Sequence, residues 1–277
     1  MTKSVLLLAI TSLFGTAAYA EDPPAAPAAA AAPEAPPFTG NIALTTNYKF
    51  RGQDQGTLTP TKTLRPAVQG GFDWTMYGFY VGNWNSSIGW LKDVQKGSSI
   101  EMDFYGGYRG EIVKDVSYDV GILRYQYVGA AAANTTELYG SVSFGPASLK
   151  YSHTVSEDYF ATAGAAFGSG FKGRGTGYLD LSGNFPVIDV LTINAHVGYT
   201  RFASDIRNNI SDTNGGTIPN YYDYKLGVTY DMSKFAGAGV SLSGAIVGAS
   251  KKESFKFSSD GESVNKARFI VTLTKTL

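Results

Sequence analysis

YYDYKLGVTYDM, residues 221–232, sets Tyr222, Tyr224, Leu226, Val228 and Tyr230 against Asp223, Lys225, Thr229 and Asp231. Successive side chains of a strand point to opposite faces, so a period of two means two different environments. GNIALTTNYKFRG (40–52) repeats the pattern, with Ile42, Leu44, Tyr48 and Phe50 against Thr45, Asn47, Lys49 and Arg51. SIEMDFYGGYRGE (99–111) opposes Ile100, Met102, Phe104 and Tyr108 to Glu101, Asp103, Tyr105 and Arg109. Val190–Arg201 opposes Leu191, Ile193, Ala195, Val197 and Tyr199 to Thr192, Asn194 and His196. One such segment describes a half-buried soluble strand. A series of them, joined by connections that alternate short and long, describes a membrane barrel with lipid outside, a polar lumen inside, tight turns on one side and long loops on the other.

The expected fold is therefore all-β, a transmembrane antiparallel up-and-down β-barrel of about 12 strands. The strands are expected near 40–51, 67–76, 79–90, 99–110, 116–127, 135–144, 147–156, 176–185, 190–201, 221–232, 239–249 and 266–277. An even number places both termini on the short-turn, periplasmic side. Within 116–127 the phase changes: Tyr118, Val120 and Ile122 share a face, then Leu123, Tyr125 and Tyr127 continue on the other. A bulge near Leu123 would restore it.

Composition agrees. A hydrophobic content of 43% and a mean hydropathy of −0.09 would pass for a soluble chain, but half of each barrel strand faces water. Eighteen Tyr, sixteen Phe and three Trp suit aromatic girdles at two interfaces. With no cysteine, disulfides, thiol catalysis and cysteine metal sites are excluded, and no cofactor is expected. A net charge of zero gives no reason to expect a nucleic-acid partner.

Residues 1–20 read as a signal peptide, with Lys3, an apolar stretch from Val5 to Phe14, and Ala18-Tyr19-Ala20 at the cleavage site. Residues 21–38 begin EDPPAAPAAAAAPEAPP and read as an Ala/Pro-rich periplasmic tether, either a spacer or a docking arm. Residues 39–277 are the barrel. The final segment closes the chain inside a strand, with Phe269, Val271, Leu273 and Leu277 on one face. This is the form of signal that the outer-membrane assembly machinery reads, although Leu277 replaces the usual terminal aromatic and Lys275 interrupts the face.

Chemical motifs are sparse. Gly168-x-Gly170-x-x-Gly173 has the letters of a dinucleotide fingerprint without its βαβ context. Of the two histidines, His153 falls on the lipid face and His196 on the lumen face. Catalysis by a Ser–His–acid set needs geometry that composition cannot supply. The candidate pore-lining residues are Lys49, Arg51, Asp73, Glu101, Asp103, Arg109, Glu137, Lys150, Asp180, His196, Asp223, Lys225, Asp231 and Arg268. They suit a narrow polar pore with opposed charged walls, Glu101, Asp103 and Asp73 against Arg109, Lys49 and Arg51. The alternative is a salt-bridged plug.

TTNYKFRG (45–52), PAVQGGFDW (66–74), EMDFYGGY (101–108), YDVGILRY (118–125), NTTELYGS (134–141), YLDL (178–181), DYKLGVTYD (223–231) and KARFIVTLTKTL (266–277) resemble the TorF family of porins over roughly 39–277. The resemblance implies a barrel in the bacterial outer membrane with pore activity, and brings no particular substrate. The expected function is passive diffusion of small hydrophilic solutes, without enzyme activity. A structural or adhesive barrel and a membrane-embedded hydrolase are the alternatives. Outer-membrane lipid and the assembly machinery are the expected partners. N-terminal sequencing of membrane-extracted protein is expected to begin at Glu21, and a start at Met1 would refute the signal peptide.

Overall fold

The computed structural model describes residues 37–58, 63–94, 98–164, 168–212, 214–256 and 262–277. The signal peptide and all but the last two residues of the tether lie outside them. Barrel strands are β1 (Phe38–Thr45), β4 (Ala67–Met76), β5 (Phe79–Ser87), β6 (Ile100–Val113), β7 (Val116–Tyr127), β8 (Thr135–Phe144), β9 (Ala147–Thr154), β10 (Gly177–Ile188), β11 (Leu191–Arg201), β12 (Tyr221–Asp231), β13 (Val240–Ala249) and β14 (Arg268–Thr276). Each pairs antiparallel with its neighbour in sequence, and β1 pairs with β14 to close a ring of twelve. Two further strands, β2 (Lys49–Phe50) and β3 (Gln53–Asp54), form a small separate hairpin.

Closure is what allows these strands to cross lipid, because no backbone group is left at an open edge. Among the described residues no helix is long and apolar enough to cross a membrane. Outward positions carry a continuous apolar surface, with Val197 54%, Leu226 62% and Phe269 65% exposed. Patches of that extent are not stable against water, so the face is built for hydrocarbon.

The short connections are set by local backbone chemistry. Tyr77 and Gly78, at φ 52° and 85°, form the two-residue turn between β4 and β5, and two central residues of positive φ match the twist of a hairpin. Helix α3 (Ser233–Ala236) occupies the β12–β13 connection. The opposite ends carry the long connections, which include α1 (Leu91–Val94) and α2 (Ser204–Asn209). Leu277 N–H donates to Gly40 C=O, so both ends of the barrel chain lie on the short-turn side.

Two expectations need correction. The first wall strand ends at Thr45, not at residue 51. The alternation that continues to Arg51 belongs to the β2–β3 hairpin, which leaves the wall and folds into the lumen. The second concerns Leu123. There is no bulge there: β7 keeps its register with β8 from Val116 to Tyr125. Leu123, Tyr125 and Tyr127 are buried and point inward. Inward does not mean polar here, because this part of the lumen holds an aromatic core.

That core fills the inside of β4–β8. Tyr80, Leu123, Tyr125, Tyr127 and Tyr139 join Tyr48, Trp90 and Leu91 from the long connections. Glycines make room for the rings. A Cβ on Gly107 would lie 2.5 Å from the Tyr80 hydroxyl, and one on Gly121 would lie 2.5 Å from that of Tyr139. Each tyrosine therefore lies across the glycine of the neighbouring strand.

Val197→Arg and Leu226→Arg are each expected to cost about 2–4 kcal/mol at the bilayer midplane, whereas Thr192→Arg and Thr229→Arg, on the inner face, cost little. Folding titrations in lipid vesicles measure this. Equal tolerance on both faces would refute the assigned orientation.

Candidate functional site

The lumen is the candidate site, and the β2–β3 hairpin dominates its outer half. β8 lies five strands round from β1, nearly opposite in a ring of twelve. The hairpin spans that distance. Its turn is Arg51–Gly52, with φ 45° and 75°. A non-glycine residue in this region is held there by its surroundings. Here the holder is Glu137 of β8, whose two oxygens accept from the Arg51 guanidinium at 3.1 and 2.6 Å. Both side chains are almost wholly buried, at 2% and 1% exposure. The guanidinium also lies 4.1 Å from the Tyr178 ring centre and 4.8 Å from that of Phe50. Gly52 packs so closely that an added Cβ would fall 2.7 Å from Asp223 Cβ and 2.8 Å from Ala249 Cβ.

The hairpin is braced along its length. Lys49 pairs with Asp54 at 3.1 Å and donates to the carbonyls of Gly52 and Val264 at 3.0 and 2.8 Å. Burial draws the Lys49 ammonium down to about 8, against the pull of Asp54. Asp54 also accepts from Asn47 at 2.6 Å and from Arg268 at 2.9 Å. Tyr48 and Tyr127 both donate to Glu101, Tyr127 at 2.7 Å. Phe50 meets the Tyr125 ring edge-on and the Phe160 ring at a tilt. A second apolar cluster, including Tyr159, Phe202, Ile206, Tyr221, Phe255 and Val264, roofs the same end. The outer mouth is thus a packed, charge-compensated layer.

The inner half is different. Asp73, Tyr105, Arg109, Ser182, Asn194, Lys225 and Thr229 point inward and are only partly buried. Tyr105 donates to Asp73 at 2.8 Å, and Arg109 donates to Thr75 at 3.0 Å while lying 4.5 Å from the Tyr80 ring centre. Tyr80 donates to Asp119 at 2.5 Å, and Lys150 lies 4.3 Å from the Tyr139 ring centre. This half forms a polar vestibule that opens on the short-turn side.

At the junction of the halves sits His196. Its Nδ1 lies 2.8 Å from Asp180 and its Nε2 lies 2.7 Å from Asp223. Ser182 Oγ is 3.1 Å from Nδ1 and donates to Asp180 at 2.6 Å. These contacts bring a serine, a histidine and an acid together, but both ring nitrogens already face carboxylates. The Ser182 hydroxyl donates its proton to Asp180, at the shorter of its two contacts, so the group reads as a clamp on His196 and not as a nucleophile with its base. His153, on the outer face, contacts Tyr151 at 3.2 Å.

Every expected lumen residue on the wall faces inward, but not all line one open path. Lys49 and Arg51 belong to the crossing hairpin. Asp231 ends β12 exposed at the short-turn rim, where it accepts from Ser233 N–H at 2.8 Å. The expected opposed walls of Glu101 and Asp103 against Lys49 and Arg51 do not face across water, because these groups are buried in the hairpin layer and Glu101 is held by tyrosines. Sequence reasoning missed Tyr80, Asp119, Tyr139 and Tyr178. All four fall on the inward parity of their strands, which was the available signal. Gly168, Gly170 and Gly173 lie in the connection between β9 and β10, with no helix after them. Among the described residues no group of three or more His, Asp or Glu could hold a metal.

A closed barrel of twelve antiparallel strands with an apolar exterior and a polar interior has porin architecture. The chain belongs to the Gcw_chp family, described as a bacterial protein of unknown function, whose model matches residues 28–277. The family's description does not carry the name of the TorF porins that the sequence resembles. No curated protein matches the chain. Among solved structures it is similar to the NanC porin (TM-score 0.51, 8% identity, 86% of this chain and 98% of that one). It is likewise similar to the KdgM porin, free (TM-score 0.50, 9% identity) and in complex with disordered oligogalacturonate (TM-score 0.50, 10% identity), each over 86% of this chain and 98% of that one. At these identities the likeness establishes the fold.

Removing one partner of a buried ion pair leaves an uncompensated charge. Arg51→Met is therefore expected to lower stability by about 3–5 kcal/mol, with most of the loss restored when Glu137→Met is added. Denaturant unfolding of the single and double variants reads the difference, and additive losses would show that the two side chains act independently.

Proposed function

We propose that this protein is an outer-membrane channel for passive diffusion of small hydrophilic solutes, cleaved after Ala20 and inserted through its C-terminal strand. The observation that carries the reading is the polar vestibule inside a closed barrel with an apolar exterior. The porin fold of its structural neighbours and the resemblance to TorF porins support it. The interior carries interspersed acids and bases, among them Asp73, Arg109, Asp119, Lys150, Asp180 and Lys225. Such a lining favours small polar or zwitterionic solutes and gives no continuous basic track for a polyanion. The β2–β3 hairpin is the constriction, and Arg51 is the residue that holds it across the lumen.

A second reading is a barrel without transport, whose loops bind a partner outside the cell. The packed outer mouth favours it. Single-channel recording in planar bilayers separates the two. A channel is expected to give small conductance in the wild type and larger conductance in Arg51→Ala, because the hairpin loses its anchor on β8. Neutralising Glu101 and Asp103 (E101Q/D103N) is expected to shift selectivity towards anions once the hairpin is released. Absence of current in both wild type and Arg51→Ala would overturn the channel and favour the second reading.

A further inference from the structure

The outer surface of the barrel is charged asymmetrically. No carboxylate occupies an outward position on any barrel strand: Asp73, Glu101, Asp103, Glu111, Asp119, Glu137, Asp180, Asp223 and Asp231 all have inward parity. Four basic side chains point outward on the barrel strands: Arg124, His153, Arg201 and Lys275. Lys275 sits at the short-turn end, where it donates to Ala238 C=O. The other three lie at the long-loop end on alternate strands, β7, β9 and β11.

Around the rest of the circumference, the outward residues near the same end include Leu44, Val68, Ile100, Tyr222 and Phe269, all exposed. The basic residues are thus confined to one side. Four strand spacings separate β7 from β11, about 19 Å of arc. Neutral donors fill the interval. Arg124 donates to Thr136 at 2.9 Å, and Tyr151 contacts His153. Neither Arg124 nor Arg201 has a carboxylate partner among the described residues. The connection above adds Lys172 and Arg174, which share Glu157 at 2.7 and 4.0 Å.

We infer that this row is a binding surface for lipid A, the phosphorylated disaccharide lipid of the outer leaflet. The inference rests on the outer-membrane orientation proposed above, which puts the long loops outside. Guanidinium groups recognise phosphate with paired, charge-assisted hydrogen bonds. A lipid with a phosphate at each end of a disaccharide can meet two arginines set apart along the barrel wall. Its sugar hydroxyls lie against Thr136 and Tyr151, and its acyl chains lie along the apolar strands below. A single-phosphate glycerolipid has no use for two separated arginines.

The test uses the folded full-length mature protein in detergent. Thermal unfolding and the amount of lipid retained on purification are measured with bis-phosphorylated lipid A, dephosphorylated lipid A and phosphatidylglycerol. Bis-phosphorylated lipid A is expected to raise the unfolding temperature and to be retained. R124Q/R201Q is expected to retain at least about tenfold less, from the loss of two charge-assisted contacts. Lys275→Gln, which removes the outward cation of the other end, is expected to behave as the wild type. An equal effect of phosphatidylglycerol would overturn the inference and leave general interfacial anchoring of arginine. So would undiminished retention by R124Q/R201Q. The variants lie on the outer face, so conductance recorded in parallel reports on the channel independently. Cell fractionation that placed the protein outside the outer membrane would overturn both readings.

Discussion

The pairing of β1 with β14 is the contact on which everything else depends. Hydrocarbon offers no hydrogen bonds, so a sheet that crosses it must have no edge. The register Asn41↔Thr276 to Thr45↔Thr272 removes the last one. Once the ring is shut, the period-two pattern acquires its meaning: one face is committed to lipid, the other to an enclosed space of fixed girth. A ring of twelve is too wide to be filled by its own wall side chains alone and too narrow to be a broad aqueous pore. The interior chemistry follows from that intermediate size.

Two devices occupy the enclosed space, and they divide it lengthwise. Tyrosines from β5–β8 lie over glycines on adjacent strands and fill one side. The β2–β3 hairpin crosses the lumen from β1 and anchors on Glu137 of β8, against the same tyrosines. Bringing Arg51 into so dry a layer is costly unless its charge is met, and the carboxylate, the Tyr178 ring and the Phe50 ring meet it together. The same accounting governs His196, which has a carboxylate at each nitrogen. Charge in the outer layer is therefore compensated pair by pair, whereas the vestibule leaves Asp73, Arg109 and Lys225 within reach of water.

The wall was legible in the sequence because its signal is purely periodic. The strands 67–76, 116–127 and 135–144 have the observed ends, and most others differ by one to three residues. Inward and outward parity on the other wall strands agrees too, including His153 and His196. What was not legible depends on long-range folding. KFRGQD continues the alternation of the preceding strand, so nothing local distinguishes a wall segment from a hairpin that turns inward. The Arg51–Glu137 contact spans 86 residues and has no local signature. Leu123, Tyr125 and Tyr127 misled for a related reason. Polarity marks a water-filled lumen, and a packed lumen reverses that mark while leaving parity intact.

The division of the lumen into a packed outer layer and an open inner vestibule also has an electrical meaning. In the proposed channel the vestibule would carry water, so an applied voltage would fall mainly over the layer held by Arg51, Glu137 and the His196 clamp. Moving one elementary charge through a 100 mV drop involves about 2.3 kcal/mol. Ions arriving from the two sides meet unequal surroundings, a wide mixed-charge antechamber on one and an aromatic roof on the other. In the proposed channel the resistance would sit at the long-loop end, and current in the two directions would differ.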